Sequence, residues 1–104
     1  MPEDAVRRCR DAWREPAAES TSVIHGDPGA ANIRIGLGGV GLIDWDEARI
    51  DASVLDLACL RDEVVERQLP PRRLGSVRRA ANAWEAANGW LLELAYARRR
   101  LAEV

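Results

Sequence analysis

The chain has 104 residues, a formal net charge of −2 and 47% hydrophobic residues. A chain of that length has room for one small domain, and its near-balanced charge excludes the one-sided basic excess of a nucleic-acid binder. All 15 basic residues are arginine; the sequence contains no lysine.

From the N-terminus, Pro2 to about Ala18 reads as a helix, with Glu3 and Asp4 suited to a first turn and Ala5, Cys9, Ala12 and Trp13 on one side. This charged stretch lacks the apolar centre of a signal peptide, and no run nears the roughly 18 apolar residues of a membrane span. Cys9 and Cys59 stand far apart without metal-ligand spacing and read as buried free thiols in a reducing compartment. A cytoplasmic protein with neither nucleic-acid nor membrane partners is expected. Thr21 to His25 is a β-prone run. Asn32 to Ile35 and Val40 to Ile43 are two more, and the glycines between them predict a hairpin turn. Ser53 is placed to cap a helix over Val54 to Gln68 that Pro70 and Pro71 stop. Arg72 to Val104 reads as helix with a break near Asn88-Gly89. Its stripe of Val77, Ala80, Trp84, Ala87, Leu91, Leu94 and Leu101 predicts a buried face. Arg98 to Arg100 complement the negative end of that helix, with an anion site as the alternative.

Two short stretches do not fit a purely structural role. VIHGDPGAANIRI, Val23 to Ile35, holds the only histidine, and Asn32 follows Asp27 by five. VGLIDWDEA then ends an apolar run in Asp44, at the head of a segment to Glu66 with eight acids and only Arg49 and Arg61 against them. Turn chemistry alone accommodates Asp, Asn and Gly but does not require their joint spacing. A hairpin that returns the chain to its starting point brings Asp27, Asn32 and Asp44 to one mouth. Two carboxylates and an amide oxygen are hard ligands suited to Mg²⁺, and a carboxylate off the metal can take a proton from a hydroxyl. Gly36, Gly38 and Gly41 match G-x-G-x-x-G, yet a strand follows where a dinucleotide fold needs a helix, so these glycines read as the hairpin turn.

The residues His25-Gly26-Asp27, Asn32 and Ile43-Asp44-Trp45 resemble the catalytic and metal loops of aminoglycoside phosphotransferases and choline-kinase-like enzymes, relatives of protein kinases. The resemblance spans 23–58. It implies an α+β fold, a kinase-like C-terminal lobe that is mostly helical with a small β-hairpin, here one domain over 1–104 with C-terminal helices over 72–104. It further implies ATP as phosphoryl donor, Mg²⁺, and a small-molecule alcohol as acceptor. Carried over, Asp27 is the base, Asn32 and Asp44 hold Mg²⁺, His25 supports the loop, and Asp56 ties down its backbone. The residues that bind the nucleotide are not indicated. Pro28-Gly29-Ala30-Ala31 replaces the Leu-His-Pro-Gly often found in the family, and Asp51-Ala52-Ser53 its Gly-Asp-Pro. The family's N-terminal lobe supplies a lysine to the nucleotide phosphates, and this sequence has none. The expectation is therefore an incomplete phosphotransferase completed by an N-terminal-lobe partner or by homodimerisation. The alternative is a non-catalytic remnant or interaction module with weak Mg-nucleotide binding.

Overall fold

The computed structural model describes residues 1–60 and 62–104, residue 62 by its backbone alone. Helix α1 spans Glu3–Ala17, and its buried residues Ala5, Cys9, Ala12 and Pro16 fall on one face. Small side chains there let α1 lie close against α3, Pro71–Gly89, where Cys9 and Ala12 pack with Ala83 and Ala86. Pro71 suits a first helical position because its missing N–H would have no partner there.

Strand β1, Thr21–Ile24, leads into the His25 loop. The predicted hairpin is present as β2, Ile33–Gly36, and β3, Gly39–Leu42, paired antiparallel with Ile33 opposite Leu42 and Ile35 opposite Val40. Gly39 takes φ +124 in the turn, where a glycine is needed. β1 is not part of that sheet. It pairs with β4, Arg49–Ala52, a strand the sequence reading did not contain. The two two-stranded sheets are separate.

The helix expected over Val54 to Gln68 is not one helix. Ser53–Cys59 is 3₁₀, Leu60 is extended, and a short helix α2 covers Asp62–Val65; Arg61, inside the expected span, lies outside the described residues. Ser53 makes no capping bond. Its Oγ contacts Ser22 Oγ at 2.8 Å and donates to Ser20 O, so it ties the segment to β1. Packing explains the 3₁₀ geometry: Val54 and Leu55 enter one core with Ile24, Ala52, Val77 and Ala80, while Asp56 on the same turn must face the His25 loop.

The break near Gly89 is present, and α4 covers Leu94–Ala102. The expected stripe is buried at Val77 and Ala80, half-buried at Trp84 and Leu101, and fails at Ala87, Leu91 and Leu94. Burial moves to Ala83 and Ala86, whereas Ala87 is exposed and Leu91 and Leu94 are 91% and 41% exposed. The cause is that α3 packs on α1 through alanines, with Trp84 against Trp13 and Leu101 against the same cluster, while Ala87, Leu91 and Leu94 fall outside that contact. No described helix is long and apolar enough to cross a membrane.

Candidate active site

The loop after β1 is built on a buried histidine. His25 is 2% exposed and its ring lies 4.6 Å from that of Trp45. Asp27 N–H donates to His25 Nδ1 at 3.2 Å, so Nδ1 is an acceptor and Nε2 carries the proton to Ile43 O at 2.8 Å. One neutral ring thereby joins the Asp27 loop to the residue before Asp44. Asp56 holds the same loop from below: its carboxylate accepts from the amides of His25 at 2.8 Å and Gly26 at 2.9 Å. Charge-assisted bonds to two consecutive amides set the peptide planes that aim Asp27.

Gly26 takes φ +93, and a Cβ there would lie 2.6 Å from Glu47 O and 2.8 Å from Glu47 Cβ. Both the left-handed backbone and the contact forbid a side chain. Gly26→Ala should therefore lower unfolding free energy by about 2 kcal/mol or more, read from the urea midpoint. An unchanged midpoint would mean that β1 and the Glu47 segment are not packed this way.

Asp27 is exposed, and Asn32 Nδ2 donates to its backbone O at 2.9 Å and to Oδ2 at 3.0 Å. Because Nδ2 is committed to two oxygens, Oδ1 is the Asn32 atom open to a cation. Asn32 itself ends a 3₁₀ turn over Ala30–Asn32, and its carbonyl accepts from Ile43 N–H at 2.9 Å. Ile43 is thus held at both ends, by His25 and by Asn32, which sets Asp44 beside the loop. Asp44 has φ +60, the only described non-glycine residue with positive φ, a conformation that Asp tolerates better than most and that concentrates at functional sites. Among the described residues no three His, Cys, Asp or Glu side chains cluster as a metal site.

Sequence reasoning missed a group under this site. Asp51, 8% exposed, accepts from Trp13 Nε1 at 3.2 Å and pairs with Arg49 Nε at 2.9 Å. The Arg49 guanidinium lies 3.8 Å over the Trp84 ring, and Trp84 Nε1 donates to Glu47. The group links α1, β4 and α3 behind the loop. Its only sequence signal was an Arg-x-Asp pair at two-residue spacing on a strand that had not been assigned.

Burial pushes the Glu47 carboxyl above its ordinary value of 4.5; the Trp84 bond opposes this, and the charges of Asp27 and Glu85 add to it. Ionising Glu47 therefore costs more in the folded chain than in the unfolded one, and stability present below that ordinary value is lost as pH rises through the raised one. Glu47→Gln should raise the thermal midpoint at pH 7 and leave it little changed at pH 4. Equal effects at both pH values would show that Glu47 acts by packing alone.

A cavity of about 340 Å³ opens beside Asp27, walled by Cys59 and by Arg78, Asn82, Glu85 and Arg100 of α3 and α4. Burial pushes the Cys59 thiol up to about 11, with the charges of Asp27, Glu85 and Asp56 adding and Arg100 opposing. Cys59 is therefore a neutral wall at physiological pH, without a thiolate's nucleophilicity. Neither cysteine is in a disulfide.

The helix-rich α+β architecture, with a short hairpin between the Asp27 loop and Asp44, is that of a kinase-like C-terminal lobe. The chain belongs to the phosphotransferase enzyme family, whose family model (APH) matches residues 1–90. That match agrees with the resemblance to aminoglycoside phosphotransferases read from the loop residues. No curated protein and no solved structure matches the chain.

Proposed function

We propose that the chain carries the catalytic and metal loops of an ATP- and Mg²⁺-dependent transferase of phosphoryl groups to a small-molecule hydroxyl. The observation that carries this reading is the clamp on Ile43, which joins the Asp27–Asn32 pair to Asp44 through two hydrogen bonds. Asp27 accepts the acceptor hydroxyl's proton and orients that hydroxyl, and exposure leaves its carboxylate reachable. Asn32, through Oδ1, and the Asp44 carboxylate would hold Mg²⁺, a fit supported by the hard oxygen donors and the committed Nδ2. When bound, Mg-ATP supplies the phosphoryl group and a cation to offset its charge. His25 and Asp56 keep the loop rigid so that Asp27 needs no reorganisation.

None of the 104 residues is a lysine, so the family's phosphate-contacting lysine is not among these residues. The isolated chain should bind Mg-ATP weakly, in a Mg²⁺-dependent way, and show no detectable transfer across an alcohol panel. Isothermal titration with and without Mg²⁺ tests this. Absence of metal-dependent binding in any form would remove the metal assignment and leave a non-catalytic remnant that keeps the fold alone.

The completing partner would sit on the sheet faces. Val23 and Ile50 are register partners 70% and 77% exposed, and Ile35 and Val40 are another such pair on the hairpin. Paired exposed apolar residues on short strands favour coverage by an N-terminal lobe or a second copy of the chain. Sedimentation should show self-association that Val23→Ser/Ile50→Ser abolishes. A wild-type chain that stays monomeric and binds no N-terminal lobe of the family would sink the idea.

A further inference from the structure

A groove of about 600 Å³ runs between α1 and α3, lined by residues that the proposed phosphotransfer does not use. We propose that it binds an anionic amphiphile with an unbranched apolar tail, a medium-chain fatty carboxylate. None of its lining residues belongs to the Asp27 loop, so this site stands or falls apart from phosphotransfer.

Small residues make the floor and large ones the walls. Cys9 and Ala83 are buried where the two helices meet, and Trp13 of α1 and Trp90, the residue after α3, stand beside them. Trp13 is held back from filling the space. Its Nε1 donates to the buried Asp51 at 3.2 Å, and its ring meets that of Trp84 edge-on at 5.3 Å. A wall pinned in this way keeps the groove open with nothing in it, as in preformed ligand sites, and the volume falls within their usual range. The α1 lining runs from Val6 to Ala17, which at 1.5 Å per residue is about 16 Å, long enough for an extended ten-carbon chain.

Charge selects the head group. The lining has no acid and two guanidiniums, Arg10 and Arg14, one helical turn apart. Arg10 has no hydrogen-bond or ion-pair partner among the described residues. Arg14 pairs with Asp11, but the two side chains are 73% and 59% exposed, so that pair holds it weakly. An apolar trough edged by cations suits a tail with one carboxylate, whose head stays at the wet rim and keeps most of its hydration. The same charges count against a second copy of the chain, because two such grooves face to face would set guanidinium against guanidinium. A broad protein partner is disfavoured too. Every exposed α1 residue outside the groove, Glu3, Asp4, Arg7, Arg8, Asp11 and Glu15, is charged, so the apolar surface of α1 stops at the rim.

The four tryptophans make the test residue-specific. Indole N–H resonances of the 104-residue chain are followed by NMR while decanoate, decan-1-ol or decyltrimethylammonium is added. Decanoate should shift Trp13 and Trp90 saturably and leave Trp45, which packs on His25 beside the catalytic loop, in place. It should bind about fivefold more tightly than the alcohol. Octanoate, shorter by two CH₂ groups, should bind about tenfold more weakly than decanoate. Arg10→Gln should reduce the preference for decanoate over the alcohol, and Arg10→Gln/Arg14→Gln should abolish it. Ala87→Leu narrows the groove from an exposed position and should weaken decanoate severalfold with no fall in the thermal midpoint. Shifts centred on Trp45, shifts that never saturate, equal or tighter binding of the ammonium compound, or a preference that survives the double variant would each overturn the proposal. So would a Trp90 resonance that moves on dilution without ligand, which would make the groove a contact between copies. Sedimentation with phosphatidylglycerol vesicles, without saturable decanoate binding, would overturn it in favour of a membrane surface.

Discussion

Asp27→Asn should cut phosphoryl transfer by about 10²–10⁴ once a lysine-bearing N-terminal lobe of the family is supplied and the pair turns over. That range corresponds to about 3–5 kcal/mol of lost transition-state stabilisation. The substitution keeps an oxygen that Asn32 Nδ2 can reach, so the loop geometry should survive. What is lost is the capacity to hold the hydroxyl proton. Mg-ATP affinity should stay near wild type, because in this reading Asp27 is not a metal ligand. The discriminating measurement is a pair of numbers: turnover across the alcohol panel and nucleotide affinity by calorimetry. A variant that loses affinity and turnover together would place Asp27 on the metal. A variant that loses neither would remove it from the chemistry.

The second large effect belongs to Asp44. Asp44→Ala should abolish the Mg²⁺ dependence of nucleotide binding, since it removes the only carboxylate assigned to the metal and leaves one amide oxygen. Backbone conformation complicates alanine here, because φ +60 costs a Cβ-bearing residue roughly 1–2 kcal/mol. Asp44→Gly accepts that conformation and removes the same carboxylate, so the two variants should agree in binding and differ only in thermal stability. If Asp44→Gly retains Mg²⁺-dependent binding, the metal is held by other groups. Asp56 provides a contrast: its carboxylate is spent on the His25 and Gly26 amides, so its loss should act through stability of the loop and not through metal.

Much of the local order was legible from residue types alone. Alternating apolar residues around glycines specified the β2–β3 hairpin, because only glycine enters the required turn without steric cost. The helical spacing of Ala5, Cys9 and Ala12 specified α1 and its buried side. The order His25, Asp27, Asn32, Asp44 and Asp56 pointed to the family, since these residue types at these intervals have little use in packing.

What lay outside the sequence was set by contacts between distant segments. Helical periodicity predicted burial of Leu91 and Leu94, but which face of a helix is covered depends on the neighbour, and α1 meets α3 at Ala83 and Ala86. The segment after β4 has helical composition, yet Val54, Leu55 and Asp56 must serve a core and a loop at once, and a 3₁₀ turn meets both demands. β4 itself is four residues long and half exposed; pairing with β1 across nearly thirty residues stabilises it, and no local propensity announces that. The cavity wall of Arg78, Asn82, Glu85 and Arg100 is also a tertiary product, because two helices and a loop must converge before those charges share one space. Backbone preference and apolar spacing act within a few residues and can be read along the chain. Register between strands, choice of helix face and the company a charge keeps are settled only when the chain closes on itself.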